Sequence, residues 1–123
     1  MEAEIVRWTI NLYKGDEEAC GLCASGGTES IVLAMLAYRE KGLKEKGITR
    51  PNLVMSETAH PSHTKAGHFF GIEVRMIPIT KDFRADLQKM KAAIDSNTVV
   101  LIASAPEYAW GNYDPVNEIA ALA

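Results

Sequence analysis

Three short apolar runs, residues 52–56, 72–79 and 98–103, are separated by stretches of helical character, and this alternation constrains the fold more than anything else in the chain. The first and last runs do not alternate apolar with polar residues, which is the pattern of strands covered on both faces. The middle run does alternate. Around them the spacing predicts five helices. Residues 2–13 carry Ile5, Trp8 and Leu12 at helical spacing before Gly15-Asp16, and a second helix carries Ile31, Val32, Met35 and Leu36 as far as Lys46, with Gly47 as its C-terminal cap. Pro61 sits in the first turn of a third helix ending near Gly71, residues 85–94 form an amphipathic fourth, and Asp114-Pro115 reads as a cap and first-turn pair opening a fifth. The expected class is α/β, a mostly parallel sheet with helices on both faces. Such sheets bind ligands beyond the carboxyl ends of their strands. On that frame the segment before the second helix, residues 57–60 and residues 104–114 gather on one edge.

The segment before the second helix is Ala24-Ser25-Gly26-Gly27-Thr28-Glu29-Ser30. First-turn N–H groups have no intrahelical partner and the helix dipole is positive there, so an anion can bind where glycine lets it approach. Ser, Thr and Gly before an apolar run are equally what any helix uses for a cap. Taken alone, the motif serves either purpose.

Other features exclude more than they assign. A net charge of −3 gives no electrostatic footprint for nucleic acid, and no apolar run is long enough to cross a bilayer. The first residues, Met1-Glu2-Ala3-Glu4, are acidic where a signal peptide is basic, so the chain reads as soluble and uncleaved. Cys20 and Cys23 form a lone C-x-x-C with no second pair, which reads as two reduced structural cysteines. His60, His63 and His68 lack the spacing of a metal site, so none is expected. His60 at the end of a strand suits a ligand pocket, where a neutral imidazole can lie against a flat ring. Lys65 reads as a solvated helix lysine, because nothing nearby would lower its pKa.

The segments CGLCASGGTES, residues 20–30, and GITRPNLVMSETAHPSHTKAGHFF with its continuation to Ala120 resemble the pyridoxal-phosphate-dependent sphingosine-1-phosphate lyases of the group II decarboxylase family. The S-G-G-T-E-S, A-H…K-A, K-D-F-R-A-D and S-A-P…G…D-P blocks occur in the family's order, and the similarity runs through the whole chain. It implies part of a fold-type I large domain, with a mixed, mostly parallel seven-stranded sheet, in a homodimer whose active sites lie between subunits. Pyridoxal 5′-phosphate is the implied cofactor. Gly27 and Thr28 match positions that hold its phosphate, Ser25 and Gly26 shape that loop, His60 matches the histidine stacked on the pyridine ring, and Ser104 matches a position close to the ring. The implied reaction is a retro-aldol cleavage of a phosphorylated long-chain base, the substrate partner, to a long-chain aldehyde and phosphoethanolamine.

In the family, the lysine that holds the cofactor and the aspartate paired with the pyridine nitrogen match positions downstream of Ala123. No residue of this chain takes the catalytic lysine's role, so residues 1–123 are expected to form a partial, inactive large domain. The family's upstream segment carries a membrane anchor in eukaryotic members, which points to the endoplasmic reticulum membrane for such a full-length protein, with this segment facing the cytosol. Ala24 replaces a usual threonine, His63 an aromatic residue, and Ala109-Trp110 a frequent Pro-His. Two other functions fit the motifs: a pyridoxal-phosphate-dependent amino-acid decarboxylase, which tends to carry Gly-Thr-Thr where this chain has Ser104-Ala105-Pro106, and a non-catalytic phosphate-binding fragment.

Overall fold

The computed structural model describes all 123 residues. In chain order the elements are α1 (Glu2–Leu12), α2 (Gly27–Lys46), β1 (Asn52–Ser56), α3 (Ser62–Phe70), β2 (Glu73–Ile77), α4 (Leu87–Ala93), β3 (Thr98–Leu101) and α5 (Val116–Ala120). The chain divides into two compact units, Met1–Ser30 and Ile31–Ala123.

In the first unit α1 is amphipathic in sequence yet buries no residue; Trp8 is 69% and Leu12 77% exposed. Cys20 and Cys23 are free and exposed rather than packed, so they have no structural part in this unit's interior.

The second unit holds the sheet, ordered β2-β1-β3 with both pairings parallel. β1 is buried along its whole length, and its residues alternate between two apolar layers. Leu53 and Met55 pack with Met35, Ala66, Ile72 and Ile102 in one layer. Val54 packs with Ile77, Ala85, Met90 and Ile119 in the other. Helices therefore cover both faces, as the uninterrupted apolarity of β1 requires. At the start of the strands the buried Asn52 amide donates to Asp95 at 2.8 Å and its oxygen accepts the Thr98 hydroxyl at 2.7 Å, while Arg75 meets Asp95 at 2.7 Å. This polar cluster joins the first residues of β1 and β3 to the middle of β2.

Helix ends explain most differences from the expected boundaries. α2 ends as predicted at Gly47, whose φ of 65° only glycine adopts readily; its N–H donates to Leu43 and that of Ile48 to Gly42. β2 begins at Glu73, because the Ile72 N–H is held by the last turn of α3 through the Gly67 carbonyl. α4 begins at Leu87 rather than at residue 85, because Asp86 caps it by accepting from Gln88 and Lys89. Pro61 stands at the N-cap of α3, one residue before the helical turn in which it was expected.

Two expectations are corrected more deeply. β3, expected to be covered on both faces and to reach residue 103, is half-buried throughout and ends at Leu101, because it is an edge of the sheet with one neighbour. Asp114 does not cap α5, whose N-cap is Pro115 with no side-chain bond; the Asp114 carboxylate is turned inward to other partners.

Candidate functional site

Within residues 24–30 the loop is tied to the start of α2 by its own side chains. The Ser25 N–H donates to Glu29 Oε2 at 2.5 Å, and the N–H and hydroxyl of Ser30 both donate to the Gly26 carbonyl, at 3.1 and 3.2 Å. Glu29 thus reaches back one turn in the manner of a capping-box acid. Its bonds from Ser25, side chain first and main-chain N–H second, hold the Glu29 carboxyl below the ordinary carboxylate range. Ser25, Gly26, Gly27 and Thr28 are exposed.

Pyridoxal phosphate requires a place for its phosphate, and this loop meets the requirement in two respects. No atom lies within 4 Å of where a Cβ would stand on Gly26 or Gly27, so the main chain there is bare and open. It lies at the N-terminus of a 20-residue helix, whose first-turn N–H groups and dipole favour an anion. The Ser25 N–H, however, is already spent on Glu29, which leaves Gly26 and Gly27 as the open part of the loop.

In the second unit, β1 and β3 are adjacent and parallel, so the segments leaving their carboxyl ends share one edge of the sheet. The first holds His60, whose side chain is fixed by local bonds. His60 Nδ1 accepts the Ser62 N–H at 3.2 Å, which in the neutral ring leaves the proton on Nε2. The His60 carbonyl accepts from the N–H and Nδ1 of His63, at 3.1 and 2.8 Å. Burial pushes the half-buried His63 imidazole below its ordinary value, against the opposing effect of that bond to His60. The outer side of His60 meets Tyr108, with ring centroids 5.9 Å apart and planes at 64°, an edge-to-face pair.

Tyr108 belongs to the second segment, which begins at Ser104. The Ser104 N–H donates to Asp114 Oδ2 at 2.8 Å and its carbonyl accepts the Asp114 N–H at 2.9 Å. Asp114 Oδ1 accepts from Ala85 at 2.8 Å, so one buried carboxylate closes the 104–114 loop and ties it to the chain before α4. His60 and the loop headed by Ser104 are therefore brought together on this edge. Lys65 lies one turn into α3 with its Nζ 5.7 Å from the Phe69 ring centroid, an exposed cation resting on an exposed ring. The sequence pattern assigned no role to Glu29 or Glu107 and only a helix-cap role to Asp114, yet each organises a loop by accepting main-chain N–H groups. Only the Glu29 pattern, an acid three residues after a Gly in a Ser-Gly-Gly-Thr-Glu run, carries a local signal.

An α/β sheet with a bare glycine loop at one helix mouth and a histidine beyond a central strand defines a class. The chain belongs to the family of the pyridoxal-dependent decarboxylase conserved domain, whose model matches residues 1–123. It is 46% identical to the sphingosine-1-phosphate lyase of Drosophila melanogaster across 99% of this chain, and 46% identical to sphingosine-1-phosphate lyase 1 of Mus musculus across 100% of it. A solved sphingosine-1-phosphate lyase structure from Burkholderia pseudomallei superposes with a TM-score of 0.91 at 40% identity, covering 98% of this chain and 30% of that one. The chain spans 23% and 22% of the length of the fly and mouse relatives. No helix is long and apolar enough to cross a membrane.

Proposed function

We propose that residues 1–123 are the part of a fold-type I large domain that holds the phosphate and one face of pyridoxal 5′-phosphate, in a lyase cleaving the C2–C3 bond of phosphorylated sphingoid bases. The observation that carries this is the bare main chain at Gly26-Gly27 in a chain 46% identical throughout to a sphingosine-1-phosphate lyase. Gly27 and Thr28 take the phosphate, Ser25 and Gly26 shape the loop, His60 lies on the ring, and Ser104 stands beside it. Bound pyridoxal phosphate supplies the electron sink that lets the bond break, yielding a long-chain aldehyde and phosphoethanolamine. The chain's own residues bind and orient. Glu29 stiffens the phosphate loop, and the Ser62 N–H on Nδ1 keeps the His60 ring in one orientation with its proton on Nε2.

The full protein works as a homodimer, and a eukaryotic member sits at the endoplasmic reticulum membrane with this segment facing the cytosol. Ser104-Ala105-Pro106 favours the lyase over an amino-acid decarboxylase, which tends to have Gly-Thr-Thr there. Titration of the chain with pyridoxal phosphate, followed by absorbance, tests the reading. Saturable binding that inorganic phosphate displaces is expected, without the red-shifted band of a covalent lysine adduct. Binding that survives Gly27→Val unchanged, or no binding at all, overturns it.

A further inference from the structure

The 104–114 loop contains a buried acid with no part in the chemistry above. Glu107 is 2% exposed, and its carboxylate is filled by main-chain donors. Ala109 donates to Oε2 at 2.8 Å, and Trp110 and Asn112 donate to Oε1 at 2.6 and 3.4 Å. The backbone closes the same circle, with Gly111 donating to the Glu107 carbonyl at 3.1 Å and Glu107 donating to that of Asn112 at 2.9 Å. Burying a carboxylate is costly unless its lone pairs are met, and here they are met by the loop itself. Burial pushes the Glu107 carboxyl up, but the N–H groups of Ala109, Trp110, Asn112 and Gly111 outweigh it and keep it below its ordinary value.

The consequence lies in what the loop presents. Tyr108 is 71% exposed, yet its neighbours Glu107 and Ala109 are both held by main-chain N–H bonds and its ring meets His60 edge-on. Two residues on, Trp110 stacks on Phe83 at 4.9 Å with planes 20° apart, and the Asn112 side chain donates to the Asp82 carbonyl at 3.2 Å, so the loop is anchored on its far side as well. A ring as exposed as Tyr108 stays against His60 only if its backbone cannot drift.

We infer that Glu107 is a positioning residue: by gripping residues 107–112 it holds Tyr108 against the His60 imidazole, and so braces that ring, already turned by the Ser62 N–H on Nδ1, where it meets a flat ring. The inference rests on the assignment of His60 to the cofactor ring. It is tested on the whole chain with Glu107→Ala, Glu107→Gln and Tyr108→Ala, by the nuclear Overhauser contact between the Tyr108 and His60 rings and by separate affinities for pyridoxal phosphate and inorganic phosphate. Glu107→Ala loses the ring contact and weakens pyridoxal phosphate about fivefold, the scale of one aromatic pair, with inorganic phosphate unchanged. Glu107→Gln keeps an oxygen for Trp110 and Asn112 but sets its NH2 against the Ala109 N–H, so its ring contact and pyridoxal phosphate affinity should fall between those of the parent and of Glu107→Ala. An intact ring contact in a folded Glu107→Ala variant, or equal losses for both ligands, overturns the inference. Should Glu107→Ala fail to fold, Glu107→Gln decides, since it must weaken the ring contact and pyridoxal phosphate with inorganic phosphate unchanged, and Tyr108→Ala must reproduce that selective loss. If the unaltered chain binds no pyridoxal phosphate, the cofactor reading falls, and the ring contact in the Glu107 variants still decides the positioning.

Discussion

At the scale of single residues, two glycines make opposite predictions from the space around them. A Cβ on Gly67 would lie 2.5 Å from Val74 Cγ2 and 2.9 Å from the Ile72 carbonyl oxygen, and the latter is backbone that cannot step aside. Gly67→Ala should therefore lower stability by about 1–3 kcal/mol in urea unfolding, the usual range for overpacking, despite alanine's better helix propensity. A Cβ on Gly26 meets nothing within 4 Å, and Gly26 has no left-handed φ. Gly26→Ala should leave stability within about 0.5 kcal/mol of the parent while weakening inorganic phosphate binding, so equal phosphate affinity would remove this loop from the site. Asp95 supplies a third test. The Asn52 amide first, then Arg75 and the Asn97 N–H, hold its carboxyl at about 2, below its ordinary 3.8. Because the folded value is depressed, the stabilisation is complete above 3.8 and disappears as pH falls from there towards about 2. Urea midpoints followed down through that window should fall less steeply in Asp95→Asn, whose side chain has no proton to take up.

At the scale of elements, the loop between β3 and α5 is governed by Asp114, and its role was not legible in the sequence for a definite reason. Asp-Pro before a helical segment is a local cap signal, but the Asp114 oxygens take N–H groups of Ala85, 29 residues away, and of Ser104, ten residues away. Only the folded sheet brings those donors together. Both carboxylate oxygens accept, so Asp114→Asn turns one acceptor into a donor facing an N–H, at a cost of about 2 kcal/mol. Hydrogen exchange should then rise at the amides of Ala85 and Ser104 together; a rise at only one would show that the carboxylate does not act as a single tie. By contrast, β1, α2 with its Gly47 stop and the glycine loop were legible, because their signals are local: an unbroken apolar run, a positive φ only glycine takes readily, and small residues before a helical period. The place of His60 just beyond β1 was legible, while the Tyr108 ring against it comes from a loop that leaves another strand.

At the scale of the whole molecule, the sheet has two unlike edges. β2 carries Glu73 and Arg75, and Arg75 donates to the Ala93 carbonyl while pairing with Glu73 and Asp95, so that edge is charged and engaged. β3 is Thr-Val-Val-Leu with no charge, and beside it Tyr38, Ala103, Val116 and Ile119 line an apolar groove. The apolar run at residues 98–103 was read as fully buried because its composition is that of an inner strand; burial depends on how many strands lie alongside, which composition does not encode. An uncharged edge with free N–H and C=O groups is a template for pairing, whereas charges blunt an edge. The isolated chain should therefore self-associate through β3 and not through β2. Hydrogen exchange measured at rising protein concentration distinguishes the edges: amides of Thr98–Leu101 should gain protection as sedimentation shows association, while those of Glu73–Ile77 should not change. A monomer that melts cooperatively at every concentration would show that the groove and edge are stable in water as they stand, and protection growing at β2 instead would mean that its charges do not keep other chains away.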